Sequence, residues 1–195
     1  MKSYDAAELM ALDERSVTWI DVRPAISFIQ GYIKGSRNAP FNKKTSVPKD
    51  VNPIVVLGPA GVLARKAALT WESSGHNVLG YLEASFTAIA GALPQQKIHQ
   101  VQILPPSALH SWSGILLDVR LKEDVNSGFI AGSMWIPLPD LEHSLSNVPR
   151  NKPLLVYCNS GSKAVEAAAQ LASAGFDQVS VIAQGGMESF PGGLT

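Results

Sequence analysis

The chain repeats itself, and that limits its folds more than any other feature. The segment WIDVRPAISFIQGYIKGSRNAPF, Trp19 to Phe41, returns as LLDVRLKEDVNSGFIAGSMWIPL, Leu116 to Leu138. A shift of 97 positions (21 to 118) lays Asp21 on Asp118, Arg23 on Arg120, Gly31 on Gly128, Ile33 on Ile130, Gly35 on Gly132 and Pro40 on Pro137. Farther on, IVVLGPAGVLARKAALTWESSGHNVLGYL matches LLVYCNSGSKAVEAAAQLASAGFDQVSVI at a shift of 100 (56 to 156), pairing Val56 with Val156, Gly61 with Gly161 and Gly75 with Gly175. The three-residue difference falls between Phe41 and Pro53. That stretch is polar, and a surface loop absorbs added length at little entropic cost. Two units of roughly 90–100 residues follow, each within the usual size of a domain. Residues 1–92 and 107–195 are expected to form them, joined by a linker over residues 93–106, LPQQKIHQVQILPP, whose prolines and glutamines are loop signals.

Each unit alternates short aliphatic runs with helical patterns. In the second unit GILLDV, MWIPL, PLLVYC and QVSVI read as strands, with short helices after Asp118 and over DLEHSL. Buried aliphatic strands alternating with helices predict an α/β fold in each unit, with a central, mostly parallel sheet flanked by helices. Ala164, Ala167, Ala168 and Leu171 recur at helical spacing, and Gly175 stands where a left-handed residue ends a helix. Ala64, Ala67, Ala68, Trp71 and Gly75 repeat the arrangement. Trp71 and Trp135 fall on core-facing positions of these patterns and are expected to pack inside.

Hydrophobic residues make up 46% of the chain, enough for two cores. Lys and Arg number 16 and Asp and Glu 16, so there is no basic surplus of the kind phosphate backbones require, and nucleic acid is not an expected partner. No apolar run is long enough to cross a bilayer, and the first residues contain no uninterrupted apolar stretch of the signal-peptide kind. Membrane association is therefore not expected, and a cytoplasmic, reducing location is. Cys158 is the single cysteine, which excludes an internal disulfide and a CxxC metal site.

Cys158 ends one strand pattern and precedes a helix, at the carboxyl edge of a sheet, where open α/β folds bind ligands. The residues Cys158, Asn159, Ser160, Gly161, Ser162, Lys163 and Ala164 form a small, polar connection. Such a loop can curl so that successive N–H groups point inward as an anion nest, joined by the unpaired N–H groups of the next helix's first turn. A sulfur at its centre would be favoured as thiolate, and Lys163 adds a positive charge. On the residues alone two readings stand: a poised thiol, or a small buried hydrophobe. The first unit repeats the strand, turn and helix around Gly58, so the architecture does not itself require a thiol there. No GxGxxG or GxxxxGKS/T pattern is present, the four histidines do not cluster, and no serine has a nucleophile-elbow context. The Asp118–Arg120 pair recurs as Asp21–Arg23 in the unit without a thiol, so it is expected to hold the fold rather than to react.

Together these motifs resemble the rhodanese-like sulfurtransferases. The DVR strand ends carry the likeness in both units. GYIKGSRNAP and GFIAGSMWIP are similar to that family's G-H-I-x-G-A-x-x-I-P, YCNSGSKA to its Y-C-x-x-G active-site loop, and QGGMESF to its closing G-G-x-x-x-W/F. The resemblance runs over nearly the whole chain, twice. It implies that Cys158 attacks the outer sulfur of a small anionic donor (thiosulfate, a persulfide or a polysulfide) and then passes that sulfur to cyanide or to a thiol, small or protein-borne. The backbone of Asn159, Ser160, Gly161, Ser162, Lys163 and Ala164 would cradle the donor, and no metal or organic cofactor is implied. The six positions from Cys158 to Lys163 match the sulfurtransferase ring, whereas related phosphatases carry one residue more and end in arginine. Asn159 and Ser162 stand where many active members have arginine, which disfavours dianionic thiosulfate relative to a persulfide or polysulfide. Gly58 and Pro59 leave the first unit without a thiol and with one N–H fewer, a non-catalytic copy. Three other readings stay open on this fold: a non-enzymatic sulfur-carrier or regulatory module, a phosphatase or arsenate-type enzyme, and a redox sensor that needs a partner thiol.

Overall fold

The computed structural model describes residues 1–13, 15–42, 47, 52–94 and 97–190. The chain divides into two units, Met1–Gln100 and Val101–Thr195.

The first unit runs β1 (Lys2–Tyr4), α1 (Ala6–Met10), β2 (Thr18–Asp21), α2 (Ala25–Ile29), β3 (Tyr32–Ile33), β4 (Arg37–Asn38), β5 (Ile54–Leu57), α3 (Gly61–Ser73), β6 (Val78–Leu82), α4 (Phe86–Ala90) and β7 (Ile98–His99). Its main sheet has the order β1-β6-β5-β2-β4, all pairs parallel. The second unit runs β8 (Gln102–Ile103), a 3-10 turn (Pro106–His110), β9 (Ile115–Asp118), α5 (Lys122–Val125), β10 (Met134–Trp135), α6 (Leu138–Ser144), β11 (Leu154–Tyr157), α7 (Ser162–Ser173), β12 (Val179–Val181) and a 3-10 turn (Met187–Ser189). Its sheet order, β10-β9-β11-β12-β8, is again all parallel. Read in reverse, the first order matches the second strand for strand, so the duplication seen in the sequence is a duplication of topology. The α/β class and the flanked parallel sheets are as expected.

Residues 93–106, expected as linker, contain two short strands. β7 pairs antiparallel with β3, and β8 forms the edge of the second sheet, in the place β1 takes in the first. Gln95 and Gln96 lie outside the described residues, as does most of the segment between Phe41 and Pro53 where the two units differ in length.

The central strands β5 and β11 are buried at every residue, which is why IVVL and LLVY carry no polar alternation. Helix α7 lays Ala164, Ala167, Ala168 and Leu171 against its sheet, each wholly buried. The small side chains of the three alanines let the helix axis come close to the strands. Its chain reversal uses Gly175 at φ +78°, and α3 ends the same way with Gly75 at φ +86°. Trp71 is buried as expected. Trp135 is not: it is 43% exposed, and its indole N–H donates to the Arg120 carbonyl oxygen at 2.9 Å. It sits on a two-residue strand at the sheet edge, where only one flank has a neighbour.

In each unit the DVR strand end forms a buried ion pair. Asp21 accepts from Arg23 Nε at 3.0 Å, from Nη2 at 2.7 Å and from the Arg23 backbone N–H at 2.9 Å. Asp118 accepts the same three bonds from Arg120, at 3.0, 2.7 and 3.0 Å. Each arginine also donates to a carbonyl of the following glycine turn, Arg23 to Gly31 at 2.6 Å and Arg120 to Gly128 at 2.9 Å. The pair therefore staples the strand end to the turn that leads to the edge strand. Bidentate geometry and the extra acceptors satisfy charges that burial would otherwise make costly.

Candidate active site

Cys158 follows β11 directly, at the carboxyl end of the strand between β9 and β12, and is 2% exposed. Three successive carbonyls of the loop are tied from outside by the segment after β12. Met187 N–H donates to Cys158 O at 2.8 Å, Glu188 N–H to Asn159 O at 3.3 Å, and Gly185 N–H to Ser160 O at 3.2 Å. No cis peptide occurs among the described residues. In a planar trans peptide the C=O and the next N–H point opposite ways. With the carbonyls of residues 158, 159 and 160 turned outward, the N–H groups of Asn159, Ser160 and Gly161 face the inside of the loop. The Gly161 N–H lies 3.1 Å from Cys158 Sγ, consistent with that orientation.

Helix α7 begins at Ser162, so the N–H groups of Ser162, Lys163 and Ala164 belong to its first turn, which has no intrahelical acceptors. Gly161 precedes it at φ +103°, a left-handed conformation that side chains rarely adopt. A Cβ there would overlap the Ala183 carbonyl oxygen, and one on Gly186 would overlap the Cys158 carbonyl oxygen. These glycines let the two backbones touch. The structure thus gathers Cys158 to Ala164 into one turn, with Cys158, Gly161 and Ala164 buried, Asn159 and Lys163 half-buried, and Ser160 and Ser162 exposed.

Charges around the turn are already matched. Lys163 Nζ lies 3.5 Å from Asp124 Oδ2 on α5, with both side chains partly exposed. Arg120 Nη1 lies 3.4 Å from Asn159 Oδ1 and 3.4 Å from the Asp124 carbonyl oxygen, while its Nε and Nη2 hold Asp118. Burial of the guanidinium favours its neutral form, but the hydrogen bonds and charge of Asp118 outweigh this and leave it held more firmly as a cation than a free arginine. Burial also pushes the Tyr157 phenol up, the largest influence on it, so the ring beneath the loop is neutral.

Two features escaped the sequence reading. Asp124 had no counterpart to draw notice, since Ser27 holds its place in the first unit. The strap of residues 185–188 was visible only as a glycine-rich motif with no evident partner. Three of the four histidines have partners outside residues 158–164. His76 bridges the Trp71 and Val47 carbonyls at 3.0 and 2.7 Å, His99 tilts against Tyr32, and His110 stacks on Phe190 at 4.4 Å. Among the described residues no three His, Cys, Asp or Glu side chains are grouped to hold a metal ion, and no helix is long and apolar enough to cross a membrane.

The first unit keeps the scaffold of this turn without its sulfur. Phe86 N–H donates to Gly58 O at 2.9 Å, as Met187 does to Cys158, and a Cβ on Gly61 would overlap the Glu83 carbonyl oxygen, as one on Gly161 would overlap that of Ala183. Gly58 is buried, and a Cβ there would meet Val22 Cγ2 and Ala64 Cβ at 3.2 Å each. Arg23 stacks 3.8 Å above the Phe86 ring.

A family model for the rhodanese-like domain matches residues 5–92 and 106–191. The chain belongs to the rhodanese-like family. It carries that domain in tandem. A sulfurtransferase from Allochromatium vinosum is 26% identical over 65 residues, 33% of this chain and 61% of that protein, so the chain matches less than two thirds of its relative's length. A rhodanese-related protein from Thermoplasma volcanium is 25% identical, with 46% of this chain and 89% of that one covered and a TM-score of 0.42. A thiosulfate sulfurtransferase from Pseudomonas aeruginosa is 17% identical, covers 95% of this chain and 41% of its own, and gives a TM-score of 0.44.

Proposed function

We propose that the second domain, residues 107–195, is a sulfurtransferase working through Cys158, and that the first, residues 1–92, is a non-catalytic copy. The observation that carries this reading is the turn in which three outward-tied carbonyls aim their N–H groups inward, one of them at 3.1 Å from the Cys158 sulfur. Those dipoles, with the N–H groups of Ser162, Lys163 and Ala164, favour negative charge on the donor and on the persulfide formed. Cys158 thiolate attacks the outer sulfur of the donor. The new S–S bond forms as the donor's S–S bond breaks, and the donor's remaining fragment leaves with the electron pair. The persulfide anion then lies in the same ring and passes its outer sulfur to a thiol or cyanide, which regenerates the thiolate. Splitting the transfer this way predicts ping-pong kinetics. The need to regenerate a free thiol fits a cytoplasmic location. The rhodanese-like family and the sulfurtransferase relative support sulfur transfer as the chemistry, and the matched charges at the turn favour a persulfide or polysulfide donor over thiosulfate.

The test is mass spectrometry of the intact protein after exposure to thiosulfate, glutathione persulfide and inorganic polysulfide. A gain of about 32 Da on Cys158, removed by a thiol or cyanide and absent in Cys158→Ser, is the expected result. Full transfer activity in Cys158→Ser, or no sulfur adduct with any donor, sinks the reading. The second outcome favours a non-enzymatic module.

A further inference from the structure

Both cations at the Cys158 turn already have a carboxylate partner. Lys163, the only charged residue among positions 158–164, pairs with Asp124 at 3.5 Å. Arg120, which touches Asn159, is bound to Asp118 by a buried pair at 2.7 Å. Asn159 is uncharged, and Glu188, next to it through the strap, adds another carboxylate on exposed backbone. Among the described residues, both side-chain cations in contact with the turn are thus paired, and backbone N–H groups remain to meet an incoming donor. The Asp118 carboxylate is wholly buried and serves the fold, whereas the Asp124 side chain is 30% exposed beside the turn.

Resting on the sulfurtransferase reading, we propose that Asp124 is a specificity-determining residue. Its carboxylate neutralises Lys163 and repels anionic donors in proportion to their charge, so that the site selects a donor of low charge, such as a hydropersulfide or an organic polysulfide, against a dianion. The chemical step is the same for each donor. With thiosulfate, the thiolate and the dianion give the persulfide anion and sulfite dianion. With methanethiosulfonate, a monoanion, they give the persulfide anion and methanesulfinate. Only the charge that must approach Asp124 differs.

The two donors make the test. Removing one negative charge close to a partly exposed site raises the attraction of each donor charge separately, so the gain for a dianion is the square of that for a monoanion. For Asp124→Asn we expect kcat/KM to rise about threefold with methanethiosulfonate and about tenfold with thiosulfate, mostly through KM. The advantage over wild type should shrink as salt is raised. Lys163→Gln, at a side chain 40% exposed and so tolerant of exchange, should move the two donors in the opposite order, with thiosulfate losing more. The Asp124 amide keeps the size of the side chain, and the Arg120 bond goes to the Asp124 backbone, so a purely structural effect would change both donors alike. Equal changes with both donors, or none in either variant, overturn the role of Asp124 while leaving sulfur transfer standing. Failure of the wild type to take sulfur from any donor instead removes the sulfurtransferase reading, and this proposal with it.

Discussion

Alanine in place of Gly161 attacks the turn at the point where its geometry is least forgiving. The residue sits at φ +103°, and its Cα faces the Ala183 carbonyl, with the Gln184 nitrogen 2.8 Å from where a Cβ would stand. Holding an L-residue in left-handed backbone costs about 1–2 kcal/mol. Relieving the overlap by moving the loop off the Ala183–Gln184 backbone adds about 1–3 kcal/mol, as overpacking does elsewhere. The sum, about 2–5 kcal/mol, is a large share of an ordinary domain's stability of about 5–15 kcal/mol. Gly61→Ala is the internal control. It meets the same kind of backbone overlap, with Glu83, but Gly61 is not a positive-φ glycine, so only about 1–3 kcal/mol is expected. Urea denaturation followed by circular dichroism reads both. The functional effects should separate further. Shifting residue 161 withdraws the N–H that lies 3.1 Å from the sulfur. Loss of one such donor costs about 100-fold or more in rate, so persulfide formation should fall by that factor in Gly161→Ala and stay within about twofold in folded Gly61→Ala. A Gly161→Ala protein with wild-type midpoint and wild-type rate would refute the argument that this turn depends on close backbone approach.

Two further outcomes follow from buried polar groups. Asp118→Asn leaves Arg120 buried without its bidentate carboxylate and should cost about 3–5 kcal/mol in urea denaturation, with Asp21→Asn losing a similar amount in its own unit; a loss below about 1 kcal/mol in either would show the pair to be dispensable. Burial raises the Tyr157 phenol, so the folded chain keeps this proton where the unfolded chain releases it. The resulting stability is whole below the unfolded tyrosine value of about 10 and is lost as pH rises beyond it. Urea midpoints between about pH 8 and about pH 11 should fall less steeply in Tyr157→Phe, and parallel slopes would remove Tyr157 as the source.

Much of this arrangement is written locally in the chain. Alanine spacing and a terminal glycine define α3 and α7, and uninterrupted aliphatic runs define β5 and β11, because a strand covered on both faces has no polar side to show. The strand-end position of Cys158 follows from the same runs. Short edge elements are another matter. Two residues are too few for any alternation, so β7 and β8 hid within a stretch whose composition suggests a loop, and the outward face of Trp135 depends on β10 having no neighbour beyond it. The pairing of Asp124 with Lys163 joins residues 39 positions apart (124 to 163), and it depends on how α5 lies against the start of α7, which neither segment specifies alone.

The strap that shapes the turn comes later in the chain than the cysteine it serves. Translation therefore delivers Cys158 first and the segment that organises its loop afterwards. Until β12 has joined the sheet and residues 185–188 have followed, the carbonyls of Cys158, Asn159 and Ser160 lack their outer partners, and nothing dictates the direction of the N–H groups behind them. Domains fold as units during synthesis. A nascent chain on its way to this fold thus carries Cys158 before its turn is organised, and the turn takes shape only once β12 and residues 185–188 are in place.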